Sequence, residues 1–279
     1  MPSIQSQHAD DDARFSFGEN WREFLHHIDD QRIEIAEKAL ESLLGKLRLD
    51  GLTFLDIGSG SGLSSLAARR LGARVHSFDY DPQSVACTLA LRDRYCPGDA
   101  QWAVEQGSIL DPTYLAKLGR FDIVYSWGVL HHTGAMYEAI ARASQLVSQD
   151  GLFAFALYRK TRLCWLWTLE KRWYTNASKG AQHRARLLYV AAMRLAFLVL
   201  RRDFKAYVSE YRSNRGMSYI HDVHDWMGGY PYESIRPEDV AQDMKRLRFE
   251  HVRSKTQPYS TGLFGSGCDE YVYRWADGI

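Results

Sequence analysis

Apolar residues recur along this chain with two different periods. From Trp21 to Leu49 they fall at Trp21, Phe24, Leu25, Ile28, Ile33, Ala36, Leu40, Leu43, Leu44 and Leu47, the spacing of one helix face. From Leu52 the pattern changes. Leu52–Ile57, Arg74–Phe78, Gln101–Gln106, Phe121–Ser126 and Gly151–Leu157 are short runs of strand length, with Ser64–Leu71, Pro82–Tyr95, Pro112–Leu118 and Met136–Val147 between them as helices. This alternation predicts a parallel sheet covered on both faces. It stops at Tyr158. From there to about Arg215 the chain is aromatic, basic and helical in pattern, and a turn-rich polar segment follows from Gly216 to Glu233. Arg236–Arg248 reads as a helix opened by Pro237 and Glu238, and Phe249–Lys255 and Glu270–Trp275 as two last strands. The expected architecture is α/β and doubly wound, with a mostly parallel seven-stranded sheet. Its expected parts are an N-terminal helical cover (1–50), a core (51–157), a helical lid insertion (158–235) and a closing αββ element (236–279).

Leu55-Asp56-Ile57-Gly58-Ser59-Gly60-Ser61-Gly62 falls between the first strand and its helix. Glycines belong there when the backbone must turn tightly and approach a ligand without a Cβ in the way. A nicotinamide-dinucleotide loop, G-x-G-x-x-G, would need glycine at the place of Leu63 and gives Asp56 no special use. The acid suits a loop that holds an amino-acid-bearing nucleoside, because a carboxylate orders the loop and meets an ammonium group directly or through water. A glycine-rich turn without a ligand is the simpler alternative. The second strand should then end in an acid that accepts both ribose hydroxyls. Phe78-Asp79-Tyr80-Asp81 supplies it, with Asp79 lying 23 positions after Asp56, close to the roughly 20 of that role. Asp81 reads as the N-cap of the next helix, with Pro82 at its first position. Gly107-Ser108-Ile109-Leu110, after the third strand, is placed to border an adenine, with Ser108 as an ordinary turn residue the alternative.

DIGSGSG, the acid of FDYD, the GSILD segment and FDIVYSWGVLHHTG occur in this order on the expected elements. Together they resemble the successive motifs of class I S-adenosylmethionine-dependent methyltransferases, over about Trp21 to Leu157 and, more loosely, the closing αββ element. SWGVLHHTG and HDVHDWMGGYPYE look like a bacterial subgroup of small-molecule, ubiquinone-methylase-like enzymes. The resemblance implies a Rossmann-like fold and S-adenosyl-L-methionine as cofactor. It implies that Asp56, Gly58, Ser59, Gly60 and Gly62 line the methionine side, that Asp79 takes the ribose, and that Tyr80, Ser108 and Ile109 flank the adenine. Trp127 and Gly128 would lie beside the methionine and sulfonium. The segment from Phe15 to Trp21, which includes Phe17, looks like the amino-terminal cover of the subgroup; a hydrophobic staple for the following helix is the alternative.

Methyl transfer from a sulfonium is an in-line displacement, so the protein chiefly aligns the acceptor and excludes water. A base is needed only where the acceptor is protonated and weakly acidic. His131 and His132 follow the fourth strand, at the end where a parallel sheet binds ligands. One is expected to face the acceptor while the other packs or bonds to backbone. His132 fits the more common family position, and His131 is the expected base. A second cluster, Tyr219 to Trp226, has two His-Asp steps three apart, which sets His221 and His224 on one side of a helical turn with Asp222 and Asp225 within reach to orient them. The alternative is a polar segment whose acids cap helices. A metal site would need a third ligand that no neighbouring pattern supplies, so none is expected. Gly228-Gly229-Tyr230-Pro231 reads as a tight turn aiming Tyr230 or Tyr232 inward. Tyr158, Tyr230, Tyr232 and Glu233 are the expected acceptor-binding set.

Thirty-five Lys and Arg against 34 Asp and Glu leave a net charge of +1, which hides a segregation. Between Tyr158 and Gly216 there are 14 basic residues and three acids, a net +11, and the rest of the chain is −10. An insertion there overhangs the acceptor side in the family's fold, and its Trp165, Trp167, Trp173 and Tyr174 with their cations suit an anionic or amphipathic acceptor. The expected reaction is methylation of an oxygen of a small molecule. The alternatives are N- or C-methylation of a small molecule, an RNA methyltransferase whose basic segment holds phosphates, and a non-catalytic nucleoside-binding scaffold. No added RNA-binding module is visible and the core is acidic, which argues against RNA, and no DNA partner is expected. Leu187–Leu200 is shorter than the roughly 20 residues that span a bilayer and carries Arg194, so it reads as a buried or interfacial helix. Residues 187–202 are the expected place for a weak contact with a membrane surface or a partner helix. The cysteines, Cys87, Cys96, Cys164 and Cys268, form no C-x-x-C pair, and the first twenty residues lack the apolar core of a secretory signal. A cytoplasmic setting is expected, and no pattern specifies an oligomer.

Overall fold

The computed structural model describes Phe15, Trp21, Leu25 and residues 28–215, 219–258 and 260–276, with backbone alone at 210–215, 220 and 221. The described chain divides into two compact units. One takes its residues from 17–161, 233–260 and 266–279, the other from 1–16, 162–232 and 261–265.

The first unit holds a seven-stranded sheet. Its elements are α1 (Asp30–Leu44), β1 (Thr53–Ile57), α2 (Leu63–Arg70), β2 (Arg74–Asp79), α3 (Pro82–Tyr95), β3 (Trp102–Gln106), α4 (Pro112–Leu115) and β4 (Phe121–Trp127). They continue with α5 (Met136–Gln145), β5 (Val147–Tyr158), α10 (Pro237–Arg246), β6 (Phe249–Lys255) and β7 (Cys268–Trp275). The strand order is β3-β2-β1-β4-β5-β7-β6. The first five strands in that order pair in parallel, and β7 is antiparallel to both β5 and β6. The order reverses direction at β1 and β4, so the carboxyl ends of these neighbours form the switch point at which open α/β sheets bind ligands.

The period of two along the strands sorts their side chains between two cores. Leu55, Ile57, Val124, Phe153 and Phe155 point to one face, packed with Met136, Ile140, Val240 and Met244. Phe54, Ile123, Tyr125, Leu152 and Ala154 point to the other, packed with Ile33, Leu40 and Leu44 of α1 and Leu66 of α2. Each fully buried Phe or Leu contributes about 1.5–3 kcal/mol relative to exposure.

The structure departs from the sequence pattern at the edges of its parts. The apolar periodicity over Trp21–Leu49 is not one helix: α1 begins at Asp30, after Asp29, whose carboxylate accepts from Arg32 N, and ends at Gly45 with φ 66°. The cap satisfies an orphaned helix N–H and stops the helix there. Packed in the core, α1 is also a layer of the sheet unit rather than part of a separate 1–50 cover. The insertion is narrower than 158–235. Arg159 N donates to Gly267 O, Lys160 N to Ile235 O and Ile235 N to Tyr158 O, which keeps both flanks on the sheet.

The second unit is helical, with α6 (Cys164–Asn176), α7 (Lys179–Val199), α8 (Phe204–Arg215) and α9 (Tyr219–Gly228). Tyr174, Tyr219, Val223 and Met227 form its core, flanked by Phe15, Tyr189, Phe204 and Tyr207. No residue of α7 is fully buried, so the buried reading of Leu187–Leu200 does not hold. Among the described residues no helix is long and apolar enough to cross a membrane.

Candidate functional site

The glycine loop turns because its glycines adopt left-handed backbone, with φ 75° at Gly58, 54° at Gly60 and 80° at Gly62. Space is as restrictive as torsion. A Cβ on Gly58 would come within 2.5 Å of the Val129 methyls, and one on Gly60 within 3.0 Å of the Trp21 indole. Trp21 thus lies against the loop at Gly60, whereas Phe17 lies outside the described residues. Ser59 Oγ shares a hydrogen bond with Thr88 Oγ1 at 2.9 Å, and Thr88 also donates to Gly60 O. Ser59 is therefore a brace of the loop, and Thr88, a helix residue whose role no local pattern announces, is its partner.

Asp56 is buried and accepts a 2.5 Å hydrogen bond from Ser65 Oγ on α2. Burial pushes its carboxyl up to about 7, against the lowering effect of Ser65. Asp79 closes the cradle at the end of β2. Its Oδ2 accepts from Gly60 N and its Oδ1 from Asp81 N, both at 2.9 Å. Burial lifts this carboxyl to about 6 despite those two bonds. Asp81 caps α3 through Gln83 N, as its pattern predicts.

Around the expected adenine position the side chains divide. Tyr80 is half exposed. Ser108 Oγ accepts from Leu110 N, so the hydroxyl serves the turn, and Ile109 packs in the core. Ser108 thus braces the turn after β3, and Ile109 packs against the core beside it. At the end of β4, Trp127 is 41% exposed and stacks on Tyr125 at 5.9 Å. Gly128 follows with φ 73° and no atom within 4 Å of where a Cβ would stand.

The two histidines next along are unlike each other. His131 is fully buried, its Nδ1 accepts from Tyr158 N at 3.2 Å, and its ring lies 3.9 Å from that of Tyr158. It is the packing, backbone-bonded member of the pair, which corrects its assignment as the base. His132 is partly exposed, its ring 5.3 Å from Tyr158. Glu233 is also reassigned: its Oε2 accepts from Met136 N at 2.9 Å, which caps α5, and burial raises its carboxyl. Orphaned N–H groups at a helix start favour an anion there.

In the helical unit, Tyr174 Oη lies 2.7 Å from His224 Nδ1 and accepts from Arg186, so its own proton is left for the imidazole. The phenol of Tyr174 thus helps orient the His224 ring. His221 is on the same helix, but its side chain lies outside the described residues. Asp225 is partly buried, as is Tyr230, whose carbonyl accepts from Phe15 N. Tyr232 is buried with its hydroxyl 3.4 Å from Cys164 Sγ, so it belongs to the packing of this unit rather than to an acceptor surface. Its ring, with those of Trp167 and Trp226, surrounds the fully buried Lys171, whose Nζ donates to Trp226 O. Burial lowers the ammonium's affinity for its proton. Sequence patterning missed this lysine because one basic residue on a basic helix carries no signal of burial. Among the described residues no group of three or more His, Cys, Asp or Glu is placed to hold a metal ion.

Residues 55–153 match a family described as Methyltransferase domain. Over 118 residues the chain is 32% identical to the ubiquinone biosynthesis O-methyltransferase of Methylobacterium sp. (strain 4-46), covering 42% of this chain and 45% of that one. Over 166 residues it is 30% identical to the protein of the same name from Nitrosococcus oceani, covering 59% and 61%. The chain spans about half the length of the curated relatives it matches. The magnesium protoporphyrin IX methyltransferase of Synechocystis PCC 6803, solved with bound SAH, has a TM-score of 0.54 and 14% identity, over 92% of this chain and 94% of that one, a likeness of fold.

The cradle fits the family's cofactor. Each Asp79 oxygen spends one lone pair on a backbone N–H and keeps another for one hydroxyl of a ribose. The loop glycines bring backbone close without side chains, and the open space at Gly128 adjoins the same strand ends. Residues 55–153, the segment that matches the methyltransferase-domain family, are the ones that carry this cradle from Asp56 to Gly128.

Proposed function

We propose that the chain transfers a methyl group from S-adenosylmethionine to an oxygen of a small, anionic or amphipathic molecule. The observation that carries the reading is Asp79 held beside Gly60 at the switch point of the sheet, with two acceptor lone pairs left for a diol. When bound, the cofactor supplies an electrophilic methyl on a sulfonium. Trp127 and Gly128 border the reacting centre and help exclude water. His132 takes the proton of the acceptor hydroxyl; a partly exposed imidazole is the side-chain type suited to that work near neutral pH. Tyr158, beside it, holds the ring. The names of the relatives from Methylobacterium and Nitrosococcus support oxygen as the atom methylated. The +11 charge between Tyr158 and Gly216 supports an acceptor with an anionic group.

Incubation with isotopically labelled cofactor and a cell extract tests this reading. A phenolic or acidic metabolite should gain the mass of one methyl group, with the label on oxygen. Label on nitrogen or carbon overturns the oxygen assignment, and label found in RNA alone overturns the small-molecule one. With that acceptor, His132→Ala should lower kcat about 100-fold or more, with activity partly restored as pH rises and the acceptor ionises unaided. Unchanged kcat across pH would remove His132 from the reaction.

A further inference from the structure

The outer face of α7 is what the packing of the helical unit leaves over. Ala185, Tyr189 and Val190 turn toward that unit's core. Leu187, Leu188, Leu195, Leu198 and Val199 are 58% to 73% exposed. With Ala191 these positions make one stripe down the helix, about 18 Å long at 1.5 Å per residue. A continuous exposed apolar surface of this kind marks a docking site more than chance exposure. The charge around it has one sign. From Lys179 to Arg202 the chain contains no acid, and Arg184, Arg194, Arg201 and Arg202 are exposed. On α6, Trp165, Leu166, Leu169 and Trp173 form a second exposed apolar row.

The occupant must therefore be apolar and anionic at once. RNA brings phosphate but no apolar counterpart to the leucines. A second copy of this face would set arginine against arginine. An anionic phospholipid surface supplies both, with acyl chains at shallow depth for the leucines and phosphates for the cations. Among the described residues no helix is long and apolar enough to cross a bilayer, so the mode is interfacial. We propose that α7 docks the protein on an anionic phospholipid bilayer, leucine stripe inward and arginines at the headgroups. The inference rests on this helix and not on the proposed reaction.

Co-sedimentation with vesicles of phosphatidylcholine alone, or of equal parts phosphatidylcholine and phosphatidylglycerol, tests it. The full chain should bind the anionic vesicles, less so as salt rises, and leave the neutral ones in the supernatant. The double variant Arg201→Glu, Arg202→Glu should bind about tenfold more weakly or worse. Leu188→Glu with Leu195→Glu should abolish binding while S-adenosylhomocysteine binding, read by calorimetry, stays unchanged and reports an intact fold. Absence of binding to anionic vesicles, or equal binding to neutral ones, overturns the proposal. So does a dimer in light scattering that the leucine variants disperse, which assigns the face to a second copy. RNA binding that the arginine variants lose and the leucine variants keep would overturn it as well.

Discussion

Burial holds the carboxyls of Asp56 and Asp79 above their ordinary range, and the two consequences have opposite signs for stability and for binding. With a folded pKa of about 7 against 3.8, Asp56 makes the native state bind more protons than the unfolded chain between those values. Its contribution to stability is full below about pH 4 and lost as pH rises through about 7. Thermal unfolding without ligand should therefore show a smaller drop in Tm between pH 5 and pH 8 in Asp56→Asn than in the wild type; an equal drop would remove Asp56 as its source. Asp79 must be ionised to accept two hydroxyls. With its pKa near 6, S-adenosylhomocysteine should bind about tenfold more weakly at pH 5 than at pH 7.5, because only the ionised fraction is competent. A flat affinity over that range would contradict this role. Both acids were legible in the sequence, since Asp56 is a lone acid inside the first apolar run, next to the glycine loop, and Asp79 directly follows the second run. The division of labour between His131 and His132 was not. Consecutive residues in the 3-10 turn Leu130–His132 point different ways, and the Tyr158 N–H that fixes one of them comes from 27 positions along the chain.

At the scale of elements, strands were readable wherever the period of two met turn residues, and β6 begins and ends where its pattern does. The helices were less so. Asp29 interrupts an apolar periodicity that runs on both sides of it, and only its carboxylate on Arg32 N makes it a boundary. Glu233 caps α5 from 97 positions away in sequence from Met136, so no local pattern could have taken it out of the acceptor set. The glycine loop was legible because backbone torsion and close approach both demand glycine. Gly58→Ala combines a left-handed φ of 75° with a Cβ 2.5 Å from Val129, and should cost about 1–3 kcal/mol of stability in chemical denaturation. Adding Val129→Ala should relieve the contact but not the torsion, and so recover only part. A Gly58→Ala variant as stable as the wild type would contradict the tight packing of the loop.

Over the whole molecule, a total charge of +1 conceals an acidic sheet unit's sequence and a basic helical insertion. The α/β class, the mostly parallel sheet and the place of the insertion after the fifth strand followed from periodicity, while its edges did not. The pairing of Arg159 and Lys160 with Gly267 and Ile235 joins segments more than seventy residues apart, and it keeps the flanks on the sheet. The exposure of the α7 stripe was equally hidden, because a helix with apolar residues on two faces does not say which face packs. The proposed chemistry starts from the cofactor cradle beside the switch point. Calorimetric titration with S-adenosylhomocysteine tests it most directly. One molecule should bind per chain, about 100-fold more weakly in Asp79→Ala, which loses two charge-assisted hydrogen bonds. No binding, binding unchanged in that variant, or a nicotinamide dinucleotide bound more tightly would contradict it.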